Sequence, residues 1–189
     1  MSRAAALLAC WIAIGLERGF ASVFLIELGS LRIAPSVAAP VFVFLALQAS
    51  RASAVWVCVL TGAALDLTWS PGTATGAGVM LGPYAIGHLL GAAFLLKARG
   101  SVDKKNPLTL IVMSVAFMII VQTFVSLVMG LRSVYDTIEW SMATEWTSRM
   151  ASAGATGFLA LAWWIVLRPV TPLMGFQQPL ARFSSSRSY

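Results

Sequence analysis

Four ionisable residues lie inside apolar stretches of this chain: Glu17 and Arg18 in the first, Asp66 in the third and His88 in the fourth. A charge at the centre of a bilayer costs roughly 2.5–3.5 kcal/mol on insertion scales. Each of these groups therefore needs a partner, a wet cavity or a place near the membrane surface. Three kinds of chemistry suit them: an ion pair that fixes helix register, a path for protons or ions, or contacts to a small ligand. Tyr84 stands one helical turn before His88 and would share its face.

Spacing suggests one pairing. With helices starting at Ala4 and Ala52, Arg18 and Asp66 each lie 14 residues along, about 21 Å at 1.5 Å per residue. An Arg18–Asp66 ion pair is the expectation. Glu17 points about 100° away from Arg18 on the same helix and needs another partner, for which His88 is the candidate. Such pairs can equally be structural, because desolvation offsets much of the Coulomb attraction.

Much chemistry is ruled out by what the chain lacks. It has one His, two Cys and seven Asp and Glu in all, with no P-loop, H-E-x-x-H or G-x-S-x-G pattern. Neither a metal site nor a cofactor is expected, and the reading is not an enzyme. Cys10 and Cys58 both sit in apolar runs and read as packing residues, not as a disulfide framework. No nucleic-acid partner is implied.

The elements that must position these groups are membrane helices. The chain is 59% hydrophobic and 11% charged, against about 25% charged for soluble domains. Its apolar runs lack the period-2 alternation of a membrane barrel. The expected fold is therefore all-α, a polytopic bundle of about six transmembrane helices. The spans are 4–28, 33–49, 52–69, 77–97, 107–131 and 151–167, forming one domain over 1–170 with a basic tail over 171–189. Pro35 falls in the first turn of the second span and Pro40 predicts a kink there. A Pro/Gly-rich turn, 70–76, joins the third and fourth spans. No internal repeat is visible. The apolar stretch before Cys10 is too short for a lipoprotein signal.

Positive charge sets the orientation. With the N-terminus cytoplasmic, the inner side holds Arg3, Arg51, Lys97, Arg99, Lys104, Lys105, Arg168, Arg182 and Arg187, and the outer side only Arg32, Arg132 and Arg149. Both termini are expected in the cytoplasm. In the loop 132–150, Tyr135, Ile138, Met142, Trp146 and Met150 recur at three- and four-residue steps, which predicts an amphipathic helix in the outer interface. Small-xxx-small pairs that allow close helix approach occur at Gly15/Gly19, Gly78/Gly82 and Gly87/Gly91. They suggest tight packing of the first, third and fourth spans.

The segment 62–91 resembles the MreD family of bacterial rod shape-determining membrane proteins. The matching residues are Gly62, Asp66 and Leu67, then Ser70, Pro71, Gly72 and Gly76 of the turn, then Tyr84 and Gly91 of the next helix. The resemblance implies a non-catalytic scaffold of the inner membrane. Its partners would be an MreC-type single-span protein, MreB filaments and the elongation synthase, with anionic lipid near the basic 97–105 loop. The glycines of the first and fourth spans would form grooves for a partner helix. A compact six-helix chain also resembles the substrate-binding subunits of energy-coupling-factor vitamin transporters, whose fold is akin to that expected of MreD-like chains. There Asp66, Tyr84, His88 and Arg18 would line a small-molecule pocket. A sealed interior favours the scaffold, whereas a cavity of a few hundred Å³ with converging polar groups favours the binder.

Overall fold

A computed structural model of the protein describes residues 3–68, 72–73, 76–77, 81–104, 106–134 and 141–171. Within them the chain is mostly helical, with six helices: α1 Arg3–Gly19, α2 Ala39–Gln48, α3 Arg51–Thr68, α4 Pro83–Ala98, α5 Pro107–Arg132 and α6 Met142–Val170. Three of these, α3, α5 and α6, are long and apolar enough to cross a membrane, and they mark the chain as a membrane protein. Two antiparallel hairpins complete the fold: β1 Ile26–Leu28 with β2 Leu31–Ile33, and β3 Gly72–Thr73 with β4 Gly76–Ala77.

The ends of α3 and α5 fall within one residue of the expected spans. Local chemistry explains the start of α5: the Asn106 side chain accepts the Leu108 N–H at 2.9 Å, and Pro107 occupies the first turn, where no amide is needed. The sixth span is longer than expected. Residues 142–150 do not form a separate interfacial helix but continue into α6 as one 29-residue rod. Residues 135–140, the rest of that expected helix, lie outside the described residues.

The first 50 residues depart most from the expectation. α1 stops at Gly19 instead of running to Leu28. The chain then turns into a hairpin whose two-residue loop puts Gly29 at φ +61°, a conformation that glycine adopts without strain. The second span is helical only over Ala39–Gln48, about 15 Å of a hydrocarbon core of about 30 Å. Residues 39–47 are buried without exception. A helix that is apolar all round belongs in a core, and α2 is the core here: it touches every other helix. Its Phe42 and Leu45 share one buried cluster with Phe117, Val121, Val125 and Met129 of α5. α1 is the outlier, touching only α2 and α3 among the helices.

An extended backbone leading into a buried helix must find acceptors for its N–H groups, because neither water nor a helical neighbour supplies them. Residues 32–40 find them without a gap. Alternate amides of an extended chain point to opposite sides. Ile33 faces Ile26 in the hairpin, whereas Arg32, Ala34 and Ser36 donate to Ser148 Oγ (3.3 Å), Ser152 Oγ (2.9 Å) and Thr156 Oγ1 (3.0 Å) of α6. The match is metric: two strand residues advance about 6.6 Å and four helix residues about 6.0 Å. Val37 and Ala38 donate to Glu17, and Ala39 donates to Ser36 Oγ. Positions 35 and 40 are proline and have no N–H to satisfy. Neither proline therefore acts as expected: Pro35 lies in the extended run and Pro40 opens α2 instead of kinking a longer helix.

Candidate functional site

The four singled-out ionisable residues gather at one end of the bundle, where α1 and α3 finish and α2 and α4 begin. Glu17 stands two residues before the end of α1, and Asp66 stands two before the end of α3. Each is followed by a hairpin and then by a helix with proline in its first turn. Both carboxylates do the same work on the helix that follows. One Glu17 oxygen accepts Val37 N at 2.5 Å, Ala38 N at 2.9 Å and Ser36 Oγ at 3.2 Å, ahead of α2. Asp66, wholly buried, accepts Gly82 N and Ala85 N on one oxygen (2.9 and 3.0 Å) and Tyr84 N on the other (2.8 Å). A helix start exposes unpaired N–H groups and the positive end of its dipole, so a carboxylate there is paired by main chain. The device occurs twice, although no repeat is visible in the sequence.

The expected Arg18–Asp66 ion pair is absent. Asp66 faces the α4 amides, and Arg18, exposed, donates from Nη2 to Thr68 Oγ1 on α3. Similar depth was legible, but the partner lies two residues further on. Glu17 likewise does not pair with His88. His88 is buried, its Nδ1 lies 2.8 Å from the Tyr84 carbonyl oxygen, and its ring meets Phe117 edge-on at 5.3 Å.

The glycines divide into filled and open positions. A Cβ on Gly62 would lie 2.5 Å from the Tyr84 carbonyl oxygen and 2.6 Å from Ala85 Cα, so the first turn of α4 rests directly on α3. Gly62 and Asp66, one turn apart, thus form a joint: the glycine admits the α4 backbone and the aspartate caps it. At Gly91 a Cβ would strike the Phe117 ring at 2.5 Å, and at Gly87 it would press on Val121 at 3.3 Å. The α4 pair is therefore filled by α5 and offers no groove to a partner, contrary to expectation. Gly15 and Gly19 have nothing within 4 Å and leave one face of α1 open. Nor does this pair pack against another element among the described residues. Gly82, at φ +133°, serves as the N-cap of α4, and Gly78 lies outside the described residues.

Between these caps is a cavity of about 410 Å³. Tyr84, His88, Glu17 and Arg18 line it, and Asp66 does not, being sealed beneath the start of α4. Its most developed polar cluster joins Tyr84, singled out from the sequence, to two residues that were not, Arg149 and Gln122. Arg149 of α6 donates from Nη1 to Gln122 Oε1 of α5 at 2.6 Å and to Tyr84 Oη of α4 at 3.2 Å. Its side chain is 12% exposed, and Glu145 lies 3.9 Å from its Nε. Gln122 is a lone amide in the most apolar of the three helices long enough to cross a membrane, and the run Ser148, Ser152, Thr156 repeats at one-turn spacing. Both were visible signals. Among the described residues no group of three His, Cys, Asp or Glu could hold a metal ion.

A mostly helical membrane protein with a polar-lined cavity at one end is what fold and site together define. No family model, curated protein or solved structure matches the chain.

Proposed function

We propose that the protein is a non-catalytic scaffold of the bacterial cell-elongation machinery, working as MreD-like proteins do. In this reading the chain lies in the inner membrane with both termini in the cytoplasm. All six helical segments sit in the bilayer, with α2 and the extended run before it together making one crossing. The joint between α3 and α4 carries the proposal. Gly62 and Asp66 of the family-like segment have packing and capping tasks there, not chemical ones. The open Gly15/Gly19 face of α1, on a helix held by only two neighbours, suits the single transmembrane helix of an MreC-type partner. The test is affinity purification in gentle detergent with mass spectrometry of what co-purifies. Wild type should bring down a single-span periplasmic protein and Gly15→Leu should not, with both variants equally folded. Equal capture by Gly15→Leu refutes the α1 surface, and capture of no such protein refutes the scaffold.

The cavity favours a second reading, as a small-molecule-binding subunit of a transporter. The interior is not sealed, and polar groups from α1, α4, α5 and α6 converge on a volume within the roughly 300–1,000 Å³ of ligand sites. Co-purification of two ATPase subunits with a coupling membrane protein would establish that reading over the first.

A further inference from the structure

The cavity wall carries both charged and apolar side chains. Arginines reach it from three separate elements: Arg18 from α1, Arg32 from β2 and Arg149 from α6. Two carboxylates line it as well. Glu17 is engaged by the amides ahead of α2, and Glu145, about half exposed, lies at the rim beside Arg149. Arg32 stands at the mouth, mostly exposed and 3.4 Å from Glu27. The rest of the lining mixes apolar side chains, Phe20, Phe24, Met118 and Val121 among them, with serine and threonine hydroxyls.

Arg149 is the deepest of the three cations. Its guanidinium is held by oxygens from two other helices, Gln122 Oε1 at 2.6 Å and Tyr84 Oη at 3.2 Å. A guanidinium is a planar fork whose geometry matches a carboxylate or phosphate. Fixing that fork beforehand lowers the ordering cost of binding. Burying an arginine, a glutamine and a tyrosine hydroxyl between helices also costs desolvation that apolar side chains would avoid. Recognition of a ligand accounts for keeping all three beside apolar side chains.

We propose that the cavity binds a small amphiphilic anion, with its carboxylate or phosphate on Arg149 and its apolar body against Phe20, Phe24, Met118 and Val121. This rests on the small-molecule reading of the cavity and is independent of the partner-helix reading. The acid group can belong to a soluble organic acid or to a membrane lipid entering from the side, and the test separates them. The full chain, purified in mild detergent, is titrated with hexanoate and, separately, in nanodiscs with phosphatidylglycerol. Hexanol and phosphatidylcholine are the uncharged and zwitterionic controls. One of the two anions should bind saturably and raise the unfolding temperature, and its control should not.

Arg149→Gln should weaken that binding about 10- to 100-fold, the range for losing a charge-assisted hydrogen bond. Arg149→Lys should recover part of the affinity. Should Arg149→Gln fail to fold, Arg32→Gln at the exposed mouth provides the reading, with a several-fold loss. Lys97→Gln, on the exposed side of α4 away from the cavity, should change nothing. Hexanoate binding identifies a soluble acid and phosphatidylglycerol binding a lipid. Equal binding of the control, no saturable binding, or unchanged affinity in a folded Arg149→Gln overturns the inference. Partner capture in the purification experiment would be untouched by that failure, so the two can fail separately.

Discussion

Replacing Asp66 by Asn tests the central structural claim, that this buried carboxylate caps α4 and does not pair with Arg18. The carboxylate holds three amides, two on one oxygen and one on the other. An asparagine keeps a single acceptor oxygen. Placed on Gly82 and Ala85, it abandons the Tyr84 N–H and turns an NH2 group toward it. A hydrogen bond to a charged group contributes about 1.5–3 kcal/mol, and its loss leaves a buried donor unsatisfied. Asp66→Asn should therefore cost about 2–3 kcal/mol, and Asp66→Ala, which strands three amides, about 4 kcal/mol or more. The assay is reversible unfolding of the purified protein in mixed detergent micelles. Arg18→Gln should cost under about 1 kcal/mol, since Arg18 is exposed and its side chain bonds the exposed Thr68 hydroxyl. The double variant Asp66→Asn/Arg18→Gln should lose the sum of the two single losses. An Asp66→Asn variant within about 0.5 kcal/mol of wild type would refute the cap. A coupling of more than about 1 kcal/mol with Arg18 would restore the ion pair.

Two further perturbations follow from the same geometry. Ser152→Ala leaves the Ala34 N–H without its acceptor, so it should cost about 1–3 kcal/mol and speed hydrogen exchange at Ala34, measured by mass spectrometry. Exchange at wild-type rate would refute the strand–helix bonding. Gly91→Ala drives a methyl into the buried Phe117 ring and should cost about 1–3 kcal/mol, whereas Gly15→Ala meets nothing and should stay within about 0.5 kcal/mol of wild type. Equal costs in the unfolding assay would show that the packing is not as described.

Sequence and structure agree where a boundary carries its own chemistry. Asn106 and Pro107 announce α5, and the polar start Ser50–Arg51 announces α3, so both ends were legible. Residues 20–49 carry no such mark. Their apolar character reports burial, and burial in lipid and burial in protein look alike to hydropathy. Residues 20–28, which include β1, and 33–38, ahead of the half-length α2, were therefore read as helix, while the turn at Gly29–Ser30 fell between the two expected spans. The same limit governs the site. Glu17 and Asp66 were legible as groups needing partners, but the partners are main-chain amides, which every residue has and no sequence pattern displays. Arg149 was counted as a loop charge because α6 was expected to start at Ala151, two residues beyond it. Gln122 stood in view as a single polar residue in α5 and gained meaning only once α4 and α6 were packed against it.

The hydroxyl ladder along α6 has a consequence for biosynthesis. Arg32, Ala34 and Ser36 donate to residues 116, 118 and 120 positions later in the chain. A translating ribosome delivers the donors long before the acceptors exist. The second segment consequently cannot settle in the membrane as an autonomous hairpin with α1. Its amides must stay near water, or in the shelter of the insertion machinery, until α6 emerges. A nascent chain halted before Met142 would hold the amides of Arg32, Ala34 and Ser36 unpaired and this segment open to protease, and completion of the last helix would close the first quarter of the protein. Insertion then ends where the chain began, and quality control of the whole molecule reduces to whether Ser148, Ser152 and Thr156 have found their strand.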